Sequence, residues 1–332
     1  MSTRPRIYLT QKIPEECEGW RLLRESCDVK VYDEIETGHM IVPRDQLLRD
    51  VRGVDALYLA LPVQVDAELL DAAGPQLKVI ATKSVGLNHI DLAECARRNI
   101  PVGYTPDVLT DAVAEATIAL TLATARRHKE GIQAVHGGQW GKTWESSLYL
   151  CGKDICNSVV GIVGLGRIGL GVAKRLRAFG ISRLLYCGRA SKPHAAEVNG
   201  EYVSFDELLK MSDFVIACCS ITPENHHLFN ADAFGKMKKS AIFINASRGI
   251  LVDQDALYVA LASGQIFAAG LDVTTPEPLP PDHRLLTLPN CTVHPHLGSA
   301  TVTARHAMAD LSARNALAGL RGEPLPAPVP LI

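Results

Sequence analysis

Residues 158–180 read SVVGIVGLGRIGLGVAKRLRAFG: an apolar run, a turn punctuated by glycine and a stretch of helix formers in immediate succession. Gly164, Gly166 and Gly169 fall in the pattern G-x-G-x-x-G, with Leu165, Arg167 and Ile168 between them. The first glycine permits a tight turn, the second lets the backbone approach a pyrophosphate, and the third lets helix and strand pack closely, while the helix N-terminus attracts the phosphates. Alone, such a hexapeptide is a weak signal, because glycines also serve compact packing. Here it follows the strand-like VVGIV and opens the helical LGVAKRLRAFG, a context that predicts a Rossmann domain holding a dinucleotide on Gly164, Gly166, Arg167, Ile168 and Gly169.

Outward from this motif the same rhythm repeats. Toward the C-terminus the apolar runs RLLYCGR, DFVIACCSI, AIFINASRG, FAAGLDV and CTVHP read as further strands, with Cys218 and Cys219 inside one of them as inert core thiols. Toward the N-terminus RIYLT, CDVKVY, ALYLALP, LKVIATKSV and IPVGYT alternate with helical stretches. Short apolar runs of this kind predict parallel sheets covered on both faces, so the fold class is α/β with two doubly wound domains. Between the series, Asp111 to His136 reads as one long helix, too apolar to lie alone on a surface. A last helix, about Ala300 to Leu320, is expected to return to the first domain and make it discontinuous. The boundaries expected are 1–109 plus 297–332 for one domain and 110–296 for the other.

Composition narrows the function. The chain has 332 residues, 47% hydrophobic and 21% charged, with a formal net charge of −2. That balance leaves no basic face for nucleic acid and no polybasic patch for a membrane, and points to a small neutral or anionic partner. Nine scattered cysteines without C-x-x-C pairing suit a reducing compartment. The N-terminal MSTRPRIYLTQKIPEE lacks a signal-peptide core, no run approaches a membrane span, and PVPLI is not a peroxisomal address, so a cytoplasmic protein is expected.

The strand after the glycine turn ends Tyr186-Cys187-Gly188-Arg189-Ala190-Ser191-Lys192. An NAD-preferring site usually places a carboxylate there for the ribose 2′-hydroxyl. None is present, and Arg189 with Ser191 and Lys192, approached past Gly188, suits a 2′-phosphate, which favours NADPH over NADH. The alternative is that Arg189 stacks on adenine or lies in solvent.

Three polar signatures close later strands: Asn245 to Gly249 (NASRG), Asp272 to Pro278 (DVTTPEP) and His294 to Thr301 (HPHLGSAT). Strand ends are the ligand side of an open α/β sheet. A nicotinamide enzyme acting on a 2-keto acid needs a fixed cation for carboxylate and carbonyl oxygen, which Arg248 suits, and a proton donor, which a histidine suits. A helix beginning near Ser299 disfavours imidazolium beside its positive end, and Glu277 is the carboxylate that restores the charged form. Two histidines, His294 and His296, compete for the role. A metal would need a third ligand; His306 falls within the final helix with no cysteine or carboxylate cluster beside it, so no metal is expected.

The combination GLGRIG, SRG, DVTTPEP and HPHLGSAT resembles the D-isomer-specific 2-hydroxyacid dehydrogenase family, and TKSVGLNHIDL, VGYTPDVLTD and GLRGEPLP look like its glyoxylate/hydroxypyruvate reductase branch. The likeness runs over nearly the whole chain. It implies that Arg248, Glu277 and His296 are the catalytic trio with His296 as acid/base; an imidazole at His294 departs from many family members. It implies a flavodoxin-like substrate domain and a Rossmann cofactor domain with a cleft between them. Backbone amides of Val85 and Gly86 would hold the substrate carboxylate, with Ser299 also at the substrate. Thr110 and Ser220 would approach the nicotinamide side of the cofactor, and Asp272, counted with the cofactor residues, would lie near the nicotinamide or the trio. A dimerisation arm over about 111–150 would make a homodimer, with Trp144 reaching the partner's active site. The activity implied is NADPH-preferring reduction of glyoxylate and hydroxypyruvate to glycolate and D-glycerate, NADH being a possible second cofactor. Open alternatives are another small 2-keto acid and a dinucleotide-sensing corepressor.

Overall fold

The structure, a computed structural model, describes residues 4–33, 38–39, 41–61, 63–142 and 147–330. The chain forms two compact units, residues 1–109 with 301–332, and residues 110–300.

In the first unit β1 (Arg6–Leu9), β2 (Asp28–Val31), β3 (Ala56–Leu59), β4 (Val79–Thr82) and β5 (Val102–Gly103) form a parallel sheet in the order β2-β1-β3-β4-β5. This is the flavodoxin-like doubly wound order. Every residue of β3 (ALYL) and β4 (VIAT) is buried, because helices cover both faces and no strand face is left for polar residues. Short helices start at side-chain caps where the sequence offers them: Asp66 accepts from the Leu69 amide and Asp91 from the Glu94 amide.

The helix Val302–Arg321 completes this unit. The Tyr58 hydroxyl donates to the Ala309 carbonyl at 3.2 Å, and Ala309, Ala313 and Ala316 share a core with β3 and β4. Asn315, fully buried, lies against Gly103, where a Cβ would come within 2.5 Å of its own Cβ. From there its amide donates to the Tyr104 carbonyl at 3.0 Å and accepts from the Ala327 amide at 2.9 Å. The tail then runs beside β5, with Val329 N–H donating to Val102 O (2.8 Å) and Tyr104 N–H to Ala327 O (3.1 Å). A two-residue strand is thus covered rather than left as an edge.

In the second unit β6 (Val159–Val163), β7 (Arg183–Cys187), β8 (Gly200–Tyr202), β9 (Phe214–Ala217), β10 (Ile242–Asn245), β11 (Ala268–Leu271) and β12 (Cys291–Val293) form a parallel sheet ordered β12-β11-β10-β9-β6-β7-β8. The winding direction reverses between β6 and β9, the crevice at which Rossmann sheets take their ligand. The glycine turn leaves β6 at that point.

Four readings of the sequence need correction, and one strand had no signal in it. The long helix is two, Thr110–Ala125 and His128–His136. Arg127 between them adopts φ +56°, its guanidinium pairs with Glu130, and the Ala125 carbonyl accepts from Lys153 N–H instead of continuing the helix. The edge strand β8 was not foreseen, because GEY is short and half-exposed with no apolar pattern. Cys218 and Cys219 lie past the end of β9 rather than inside it. The last helix starts at Val302, with Thr301 capping the Ala304 amide, not near Ser299. The second crossing between units falls at 300/301 rather than 296/297, because Leu297 and Gly298 are tied to Asp272.

Candidate active site

The dinucleotide turn is shaped by what its glycines lack. Gly164 sits at φ +97°, and a Cβ there would lie 2.6 Å from the Cys219 Cα. At Gly169 it would lie 2.2 Å from the Gly164 carbonyl oxygen. Gly166 is the N-cap of the helix Arg167–Ala178, makes no side-chain cap bond, and has nothing within 4 Å of where a Cβ would stand. The positive end of this helix suits a pyrophosphate in sign. Thr110 packs on the same helix, its Cγ2 3.6 Å from where a Gly171 Cβ would stand. His194, a residue the sequence reading passed over, reaches from beyond β7 to the Leu165 carbonyl at 2.8 Å.

At the end of β7, Gly188, Arg189, Ser191 and Lys192 are all exposed, with no carboxylate among them. The Gly188 carbonyl is held by the Tyr202 hydroxyl (2.9 Å), and Lys192 N–H donates to the Tyr186 hydroxyl (2.9 Å), which fixes the loop that presents Arg189. Ser220, exposed after β9, takes the Asn225 amide on its carbonyl at 2.8 Å.

Arg248, Glu277 and His296 follow β10, β11 and β12, three neighbouring strands. His296 Nδ1 lies 2.9 Å from Glu277 Oε2, and Glu277 Oε1 accepts from Thr274 N–H at 2.9 Å. Burial pushes the Glu277 carboxyl up, but the bonds from His296 and Thr274 and the positive charges of His296 and Arg248 outweigh it, and the net shift is below the usual carboxylate range. Burial draws the Arg248 guanidinium down, opposed by the charge of Glu277. Its Nη1 donates to the Ser247 carbonyl at 2.6 Å. His294 N–H continues the β-ladder to Leu271 O at 2.7 Å, so His294 closes the strand while His296 belongs to the loop.

Three residues position these loops, and of them only Gln254 lies outside the polar signatures of the sequence. Asn245, fully buried, accepts from Ser247 N–H and Oγ and donates to the Arg248 carbonyl at 2.9 Å, which winds the turn under Arg248. Gln254 holds Thr275 from both sides, donating to its carbonyl (2.7 Å) and accepting from its amide (2.8 Å), beside the segment that carries Glu277. Asp272, expected near the nicotinamide or the trio, has both carboxylate oxygens engaged: Oδ1 accepts from Leu297 N–H at 2.7 Å and Oδ2 from Gly298 N–H at 2.8 Å, while its carbonyl takes the His296 amide at 2.9 Å. His296 itself adopts φ +54°, a left-handed conformation that few non-glycine residues take. The buried carboxylate is what holds it there.

Val85 and Gly86 belong to the first unit, in the loop after β4, and their amides have no protein partner among the described residues. Ser299, half-buried, lies in the second unit. Trp144 lies outside the described residues. Among the described residues no group of three or more His, Cys, Asp or Glu side chains is placed to hold a metal, and no helix is long and apolar enough to cross a membrane.

Residues 118–298 match the family described as D-isomer specific 2-hydroxyacid dehydrogenase, NAD binding domain. The chain is 50% identical over 327 residues to the human glyoxylate reductase/hydroxypyruvate reductase, covering 98% of each, and 45% identical to the glyoxylate reductase of Thermofilum pendens, covering 98% and 94%. Among solved structures it is similar to the NADPH-dependent glyoxylate/hydroxypyruvate reductase of Sinorhizobium meliloti in complex with NADP and malonate. That likeness has a TM-score of 0.84 at 32% identity, over 99% of this chain and 97% of the other.

Proposed function

The chain belongs to the D-isomer specific 2-hydroxyacid dehydrogenase family of oxidoreductases, and from that membership we propose that it reduces glyoxylate and hydroxypyruvate with NADPH, giving glycolate and D-glycerate. The observation that carries the reading is the 2.9 Å pair of His296 Nδ1 with Glu277 Oε2, one strand end away from Arg248. Nδ1–H donates to the carboxylate, so Nε2 is the atom left to deliver a proton. The nicotinamide, when bound, supplies the hydride to the keto carbon. Arg248 orients the substrate's carboxylate and carbonyl oxygen with its planar fork, and His296 protonates that oxygen as it becomes an alkoxide. Amides of Val85 and Gly86 hold the substrate carboxylate.

Arg189, Ser191 and Lys192, exposed where an NAD site carries an acid, support NADPH, and the names of the relatives support the substrates. Thr110 and Ser220 serve the cofactor from its nicotinamide side. Nine free thiols support a cytoplasmic protein. A homodimer is supported by the helix His128–His136, which buries no residue, and by the exposed Ile132, Val135, Trp140 and Leu148 along the same arm.

The test is the steady-state oxidation of NADPH and of NADH with hydroxypyruvate, then with glyoxylate. Rapid turnover favouring NADPH is expected. Turnover favouring NADH would keep the trio and discard the role of Arg189. Turnover confined to a bulkier 2-keto acid would move the substrate, and tight cofactor binding without turnover would make the protein a dinucleotide sensor.

A further inference from the structure

The loop after β4 contains a chain of side-chain hydrogen bonds whose direction can be deduced. Ser84 Oγ donates to the Gly86 carbonyl at 2.7 Å, since a carbonyl only accepts. That spends the one hydroxyl proton of Ser84, so its 3.0 Å contact with Thr82 Oγ1 is made by the threonine proton. Thr82 Oγ1 therefore accepts in its 3.3 Å contact with His89 Nε2, and the histidine carries its proton on Nε2. The order is His89 to Thr82 to Ser84 to the Gly86 carbonyl, with His89 and Thr82 both buried at 7% and 1% exposure.

The far end of the chain is anchored by backbone: the His89 carbonyl accepts from Val65 N–H at 2.8 Å. At the near end two peptide planes are pinned. The Ser84 carbonyl accepts from Thr105 N–H at 3.0 Å, which fixes the plane carrying Val85 N–H. The bond from Ser84 Oγ fixes the plane of the Gly86 carbonyl. Gly86 N–H lies on the peptide between them, held from both sides, although no partner among the described residues binds it.

We propose that His89, acting through Thr82 and Ser84, is a positioning residue that presets the Val85 and Gly86 amides as a carboxylate receptor. The inference rests on our assignment of those amides to the substrate. Without the chain the glycine peptide is free to rotate, and the receptor must be ordered by the substrate at the moment of binding, which weakens binding without touching the proton donor.

The experiment measures KM and kcat with NADPH for glyoxylate and for its uncharged methyl ester, in wild type, Ser84→Ala, His89→Leu and His89→Gln, with the melting temperature of each. Wild type should prefer the acid. Ser84→Ala and His89→Leu should raise KM for the acid by about tenfold, the size of one lost net hydrogen bond, with kcat and the KM for the ester unchanged. His89→Gln, which keeps a donor at the same reach, should restore the acid's KM. An unchanged KM for the acid in Ser84→Ala and His89→Leu would overturn the positioning role and leave the functional reading intact. Equal losses on acid and ester with a fallen melting temperature would reduce His89 to a structural residue and also overturn it. Wild type that uses acid and ester equally would remove the carboxylate role of the loop itself, a different failure.

Discussion

The two loops that define the second unit's chemistry, Gly164–Gly169 after β6 and His294–Ala300 after β12, leave the same end of one parallel sheet and are shaped by opposite means. The first is shaped by absent side chains: a Cβ at Gly164 or Gly169 would run into backbone, and no side chain caps the helix that follows. The second is shaped by one side chain that is present, the carboxylate of Asp272, which gathers two consecutive amides and leaves His296 at φ +54°. A loop built from glycines advertises itself in the linear sequence. One tied down by a carboxylate 25 residues away does not.

The comparison can be broken most forcefully at His296. His296→Ala should lower kcat by about a thousandfold, the usual span for a lost general acid, while NADPH affinity stays within about twofold. In the glycine loop the loss should have the reverse character. Gly164→Ala places a Cβ at positive φ and against the Cys219 backbone, so dinucleotide affinity should fall by about a hundredfold with kcat recoverable at saturating cofactor. Equilibrium binding followed by fluorescence separates the two.

Asp272→Asn sharpens the contrast. It turns one acceptor into an amide donor facing a backbone N–H, so kcat should drop by about tenfold while NADPH affinity holds. A weakened cofactor with kcat intact would instead return Asp272 to the nicotinamide. His294→Ala should change kcat by no more than about twofold, since its backbone, not its ring, closes β12. The smallest effect concerns pH. Glu277 is held below its ordinary value of 4.5, so its contribution to stability is present above that value and lost as pH falls through the lower folded one. Melting curves of wild type and Glu277→Gln should differ near neutrality and converge on acidification.

The parallel sheets were legible because ALYL, VIAT and VVGIV are continuous apolar runs, and the dinucleotide turn because three glycines sit within six residues. Arg248, Glu277 and His296 were legible as polar residues at strand ends. What the sequence hid was geometry carried by distant partners. The break at Arg127 depends on a carbonyl taken by Lys153, and the roles of Asn245 and Gln254 depend on which backbone atoms the fold brings to their amides. Asp272 was visible as a residue, but its two acceptors were visible only once the loop had been wound around them.

The return of the helix Val302–Arg321 to the first sheet sets an order of events during synthesis. The face of β3 and β4 that Ala309, Ala313 and Ala316 cover has been made long before those alanines exist. At about 5–20 residues per second, the stretch between Leu109 and Thr301 occupies the ribosome for on the order of tens of seconds. For that interval Ala56, Tyr58, Val79 and Ala81 lack their permanent cover, while the second unit is threaded and can close on itself. The half made first is the half finished last, and in the nascent chain its open face is where a chaperone has most to protect.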